Sequence, residues 1–116
     1  MQYLTNSQLN YMICIRALCR EGTVRATDIS RQIKLSMPSV HNMLGTLEGL
    51  ELIEKHRHSV ALTPAGDAVL GYYDTAIHAA QKLLQSAGIE DCEEDALAVV
   101  TALSPAALDK IVESMR

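Results

Sequence analysis

Tryptophan and phenylalanine are absent, and only Tyr3, Tyr11, Tyr72 and Tyr73 supply aromatic rings in 116 residues. So sparse a set argues against the stacking platforms on which proteins lay out single-stranded nucleic acid. Cysteine is scarce too. Cys14, Cys19 and Cys92 make an odd number with no Cys-x-x-Cys pair, which fits neither a disulfide framework nor a structural zinc cluster. No apolar run approaches the roughly 18–20 residues needed to cross a bilayer. No basic-then-apolar leader with a small-residue cleavage site opens the sequence. The expectation is a cytoplasmic protein with free thiols and no membrane partner. Also missing are a P-loop, GxSxG, HExxH and a dinucleotide fingerprint, and Glu54 is the only acid at short spacing from the wing histidines. No enzymatic activity is expected.

What is present is enough apolar sequence to build a core. The chain is 48% hydrophobic and 21% charged, outside the range of disordered tails. Its net charge of −4 is unevenly spread. Residues 1–66 carry Arg16, Arg20, Arg25, Arg31, Lys34, Lys55 and Arg57 against five acids, a net +2. Residues 67–116 carry Lys82, Lys110 and Arg116 against nine acids, a net −6. His41, His56 and His58 also lie in the first part. Such asymmetry assigns different partners to the two parts, with a boundary at residue 66.

Local signals divide the first part into three helices and a hairpin. Thr5 with Gln8 forms a capping box, apolar residues from Tyr11 to Leu18 follow at helical spacing, and Gly22 ends the element. A short helix is expected after Thr27, read as its N-cap, with Ile29 and Ile33 inward. Lys34-Leu35-Ser36 reads as a tight turn. Ser36 then caps a third helix to about Leu50, with Pro38 in its first turn and Val40, Met43, Leu44 and Leu47 as its buried stripe. Two short strands, Leu52-Ile53-Glu54 and Val60-Ala61-Leu62, are predicted around a basic loop from Lys55 to Ser59. Thr63 and Pro64 begin a long helix ending near Gly88. Asp91 with Glu94 is read as the start of a helix to about Leu103, and Ser104-Pro105 as the start of the last.

Helix, short helix, tight turn, helix and basic hairpin is the order of a winged helix-turn-helix: a mainly α fold with a two-stranded β wing, here followed by C-terminal dimerisation helices. The major groove of B-DNA admits one α-helix, which needs a polar outer face near its N-terminus. Ser36, Ser39, His41 and Asn42 lie off the apolar stripe and meet that need, and the Asn42 amide has the donor–acceptor pair that reads adenine. Lys55, His56, Arg57 and His58 supply charge from the wing for phosphates. Arg25, at the head of the short helix, and Pro38 complete the candidate set for double-stranded DNA.

The stretches "LTNSQLNYM", "VRATDISRQI", "SMPSVHNML" and "VALTPAG" resemble, in order over about the first 70 residues, the DNA-binding half of the diphtheria toxin repressor and manganese repressor family. The resemblance implies a dimeric, metal-activated repressor. It places Ser36, Pro38, Ser39, His41 and Asn42 toward DNA and residues 55–59 on the wing. Lys34 departs from the family's turn glycine. By the same alignment the regulatory ligand positions fall on Asn10, Ile13, Ile77, Leu97, Val100 and Thr101. These side chains lack the imidazole, thiolate or carboxylate that a transition metal requires, so no metal or other cofactor is expected.

The apolar residues of the last three helices, among them Val69, Leu70, Tyr72, Tyr73, Ile77, Leu83 and Leu84, exceed what one small chain is expected to cover, so a homodimer is expected. Three readings stay open at this point. One is a DNA-binding regulator, usually a repressor, that has lost the family's metal control. Another is a regulator similar to the multiple-antibiotic-resistance family, sensing a small ligand or a redox change. The third is a winged-helix module for protein partners.

Overall fold

A computed structural model describes residues 1–116. In chain order the elements are α1 (Asn6–Cys19), α2 (Ala26–Ile33), α3 (Met37–Gly49), β1 (Ile53–His56), β2 (Ser59–Leu62), α4 (Pro64–Ser86), α5 (Glu93–Ala102) and α6 (Pro105–Ser114). This is the mainly helical winged helix-turn-helix expected from the sequence. Two compact units are distinguishable. One comprises Ser7–Ala68, the other Met1–Asn6 with Val69–Arg116.

In the Ser7–Ala68 unit, Leu9, Met12, Ile15, Val24, Ile29, Val40, Leu44, Leu47, Leu52 and Ile53 are buried, each worth about 1.5–3 kcal/mol of transfer free energy. The stripe of α3 is as expected, except that Met43 is half-buried. Ile29 is buried, whereas Ile33 is half-buried. α3 packs against α2 and β1. The strands pair antiparallel, with Ile53 opposite Leu62 and His56 opposite Ser59. One bridge ties this wing to the loop before α2: the Val60 N–H donates to the Val24 carbonyl at 2.8 Å.

Several local expectations are corrected. Thr27 does not cap α2; Arg25 holds the N-cap position, and its backbone N–H donates to Asp28 Oδ2 at 2.9 Å. An aspartate three residues into the helix fills the reciprocal half of a capping box, so Asp28 was the informative residue. Asp91 likewise does not cap α5, whose N-cap is the buried Cys92 with no side-chain capping bond. The wing loop is shorter than predicted. Lys55 and His56 belong to β1 and Ser59 to β2, leaving Arg57 and His58 as the two turn residues. Arg57 has φ 55° and His58 does not have positive φ, the pattern of a type II′ rather than a type I′ turn.

Ser36 and Ser104 cap α3 and α6 as expected, accepting from the backbone N–H groups of Ser39 at 3.3 Å and Ala107 at 3.2 Å. Thr63 caps α4 by accepting from the Gly66 N–H at 3.0 Å, and its own hydroxyl donates to the Glu51 carbonyl at 2.7 Å. This double use pulls the start of α4 against the chain at Leu52. A Cβ on Gly66 would collide with the Leu52 carbonyl oxygen, so glycine is required there by close approach rather than by backbone angle. Lys34, by contrast, closes α2 in the left-handed region, at φ 64° and ψ 43°, where a side chain costs about 1 kcal/mol or more.

In the other unit, Leu4, Val69, Leu70, Tyr73, Ala76, Leu97, Val100, Leu108 and Val112 are buried. The first residues are fastened by phenols. Tyr3 Oη donates to both oxygens of Asp109, at 3.0 and 2.8 Å, and the Tyr72 hydroxyl donates to the same carboxylate. The Leu4 N–H donates to Tyr73 Oη at 2.8 Å. The hydrogen bonds from Tyr72 and then Tyr3 hold Asp109 below the usual carboxylate range. Burial, followed by the bond to Asp109, pushes Tyr72 upward. The tie between them is therefore complete at neutral pH, and its Asp109 part is lost as acid titrates the carboxylate below its ordinary range. Much of the apolar surface counted in the sequence is covered within this unit. Val69, Leu70, Tyr72 and Tyr73 are buried, while Leu83 is 68% exposed, Ile89 39% and Val99 38%.

Two substitutions at turns should move stability in opposite directions. Gly66→Ala is expected to lower unfolding free energy by about 2 kcal/mol or more, through the clash with Leu52. Lys34→Gly is expected to raise it by up to about 1 kcal/mol. Urea midpoints of the two variants against the parent check both signs.

Candidate nucleic-acid interface

The polar outer face of α3 exists because its inner stripe is fully used. Val40, Leu44 and Leu47 are buried, while Ser36, Pro38, Ser39, His41 and Asn42 are exposed. These five do not share one role. Ser36 is committed to capping, and its hydroxyl also donates to Ser39 Oγ at 3.0 Å. Pro38 occupies the first turn of the helix, where its missing N–H leaves no bond unmade. Asn42 keeps its side-chain amide outward while its backbone carbonyl accepts from Thr46 Oγ1 at 3.2 Å.

A groove of about 440 Å³ lies between the start of α2, α3 and the wing. Arg25, His41, Lys55, Arg57 and His58 line it, with Thr27 and Ser59. Residues up to 35 positions apart in sequence, Arg25 and Val60, thus meet at one surface. No carboxylate lines the groove. Of the nearby acids, Glu48 pairs with the groove's own Lys55 at 3.9 Å, while Glu54 pairs with His56 at 3.1 Å and Asp28 with Arg31 at 3.8 Å. Such exposed pairs are worth about 0–1 kcal/mol each, so they do not neutralise the surface in any durable way. In a chain of net charge −4, the groove lining itself carries three cations and no carboxylate.

His56 does not line this groove, because it sits at the end of β1 beside Glu54. Ser36, Pro38, Ser39 and Asn42 lie outside the lining as well. The sequence reading missed Thr27 and Ser59 as groove residues. Because Arg25 rather than Thr27 holds the N-cap position of α2, Thr27 is free to line the groove. Ser59 became a groove residue only once the hairpin register was fixed, where its hydroxyl donates to the His56 carbonyl at 3.0 Å.

The residues aligned with the regulatory metal ligands of the resembled family do not fit a transition metal. Leu97 and Val100 are buried core residues, and Thr101 Oγ1 donates to the Leu97 carbonyl at 2.8 Å. No group of three His, Cys, Asp or Glu side chains is arranged so that it could hold a metal ion.

Residues 15–57 match the family model of the IclR helix-turn-helix domain, a span running from α1 into the wing turn. No curated protein matches the chain. Among solved structures, the chain is similar to the hypothetical protein SSo2273 from Sulfolobus solfataricus, with TM-score 0.79 and 20% identity over 97% of this chain and 89% of that one. It is also similar to IdeR from T. acidophilum, with TM-score 0.70 and 22% identity, covering 98% of this chain and 55% of that one. The metal-dependent transcriptional regulator MtsR gives TM-score 0.78 and 14% identity, covering 97% and 54%. The chain thus spans about half the length of IdeR and of MtsR. At such identities the likeness is one of fold. The fold shared with metal-dependent regulators agrees with the resemblance in the sequence, while the matched sequence model belongs to a different helix-turn-helix group.

Proposed function

We propose that this chain is a sequence-specific DNA-binding transcriptional regulator, acting as a homodimer and in the sense of a repressor. It is a regulator rather than an enzyme. The observation that carries the reading is the carboxylate-free groove joining Arg25, His41, Lys55, Arg57 and His58 beside a helix whose outer face is polar. In this reading α3 enters the major groove and Asn42 reads a base edge. Arg25, Lys55 and Arg57 hold phosphates, and Ser39 and His41 serve bases or phosphates near the start of the helix. Ser36 and Pro38 set the direction of that helix, and His56 and His58 add to the wing.

Dimerisation is supported by the exposed apolar side chains of the α4–α6 region, Leu83 and Val99 among them. Two-fold association places two recognition helices about one turn of DNA apart, ~34 Å. Selection from random duplex DNA, followed by affinity measurements, tests the interface. Arg57→Ala is expected to weaken all duplexes alike and to reduce the salt slope by about 1. Asn42→Ala is expected to lose about 1–3 kcal/mol of discrimination at a single base pair. Uniform weakening by both variants would remove Asn42 from base reading. Sedimentation at tens of micromolar is expected to show a dimer, and a monomer there would contradict the two-fold assembly.

A further inference from the structure

Three of the four histidines in the chain cluster on or beside the wing and α3, and two of them, His41 and His58, line the same groove. Both are exposed, and neither ring has a hydrogen-bond or ion-pair partner. They differ in this from His56, whose ring is held by Glu54 at 3.1 Å. The charged groups facing them are Arg25 from the head of α2, Lys55 from β1 and Arg57 from the turn, with the uncharged Ser59 from β2. The nearest acids, Asp28, Glu48 and Glu54, are directed at the Arg25 backbone N–H, Lys55 and His56. The groove thus combines three cations, of which Lys55 is paired with Glu48, with two unpartnered rings.

We infer that His41 and His58 form a second, proton-dependent phosphate site beside the fixed cations, so that affinity for duplex DNA rises as pH falls. This rests on the DNA-binding reading above. Histidine is the side chain whose ordinary titration range lies between pH 5 and 8. A phosphate in the groove stabilises the charged ring, and thermodynamic linkage then makes binding take up protons. Neutral imidazole donates one N–H and carries no charge; imidazolium donates two and adds a charge-assisted contact. His56 lies outside the groove lining, its ring 3.1 Å from Glu54.

The test is fluorescence anisotropy with a labelled mixed-sequence 30-base-pair duplex, at fixed low ionic strength, at pH 5.8 and pH 8.0. The parent protein is expected to bind about tenfold tighter at the lower pH, the scale of one to two added charge-assisted contacts. The H41Q/H58Q double variant is expected to cut that ratio to below about twofold, whatever its absolute affinity. H78Q, altered on α4 at a residue that does not line the groove, keeps the full ratio. Calorimetry of the parent at pH 7 in two buffers of different ionisation heat is expected to show net proton uptake. Equal affinity at both pH values, an undiminished ratio in the double variant, or no proton uptake overturns the histidine site while leaving DNA binding standing. Failure to bind the duplex at either pH overturns both.

Discussion

The whole arrangement depends on the burial of one stripe of α3. Val40, Leu44 and Leu47 are sunk into the core and packed toward α2 and β1, and a helix has only one such face to give. Everything chemically expressive on α3 must then lie on the remaining arc, and that arc carries Ser39, His41 and Asn42. The cap at Ser36 and the left-handed turn at Lys34 fix where the helix begins. The single bridge between Val60 and Val24 sets the wing alongside. With the rod and the wing both anchored, their basic side chains face one groove.

Electrostatics then acts locally, against the average. A net charge of −4 would repel a polyanion if it were spread evenly, but screening confines each charge to about 8–10 Å at physiological salt. In the proposed reading, a phosphate at the groove meets Arg25, Arg57 and the Glu48-paired Lys55, with no carboxylate in the lining. The acids concentrate instead at the start of α5, where Glu93, Glu94 and Asp95 favour the positive end of the helix dipole.

The architecture was legible in the sequence wherever a strong local rule applied. Ser36 with Pro38, Thr63 with Pro64 and Ser104 with Pro105 marked helix starts correctly, because a hydroxyl cap followed by proline leaves the chain few alternatives. Weaker signals misled. Thr27 suits a cap by residue preference, but the start of α2 is set by Asp28 accepting from the Arg25 N–H. The wing turn was placed too widely because its two residues, Arg57 and His58, lack the Asn-Gly or Gly signature of tight hairpins. The chain accepts a left-handed arginine there instead. Nothing local foretold that Tyr3 would reach Asp109, 106 residues away, or that this unit would bury most of its own apolar surface. Contacts of that range arise from tertiary packing and leave no periodicity to read.

The central claim is that the groove beside α3 is a phosphate-binding surface for duplex DNA. Its most direct test is the dependence of duplex affinity on salt. Three cations on phosphates predict a log–log slope of about −2.7 per protomer, from the counterions released. A slope near zero, or no duplex binding even at low salt, would contradict the account.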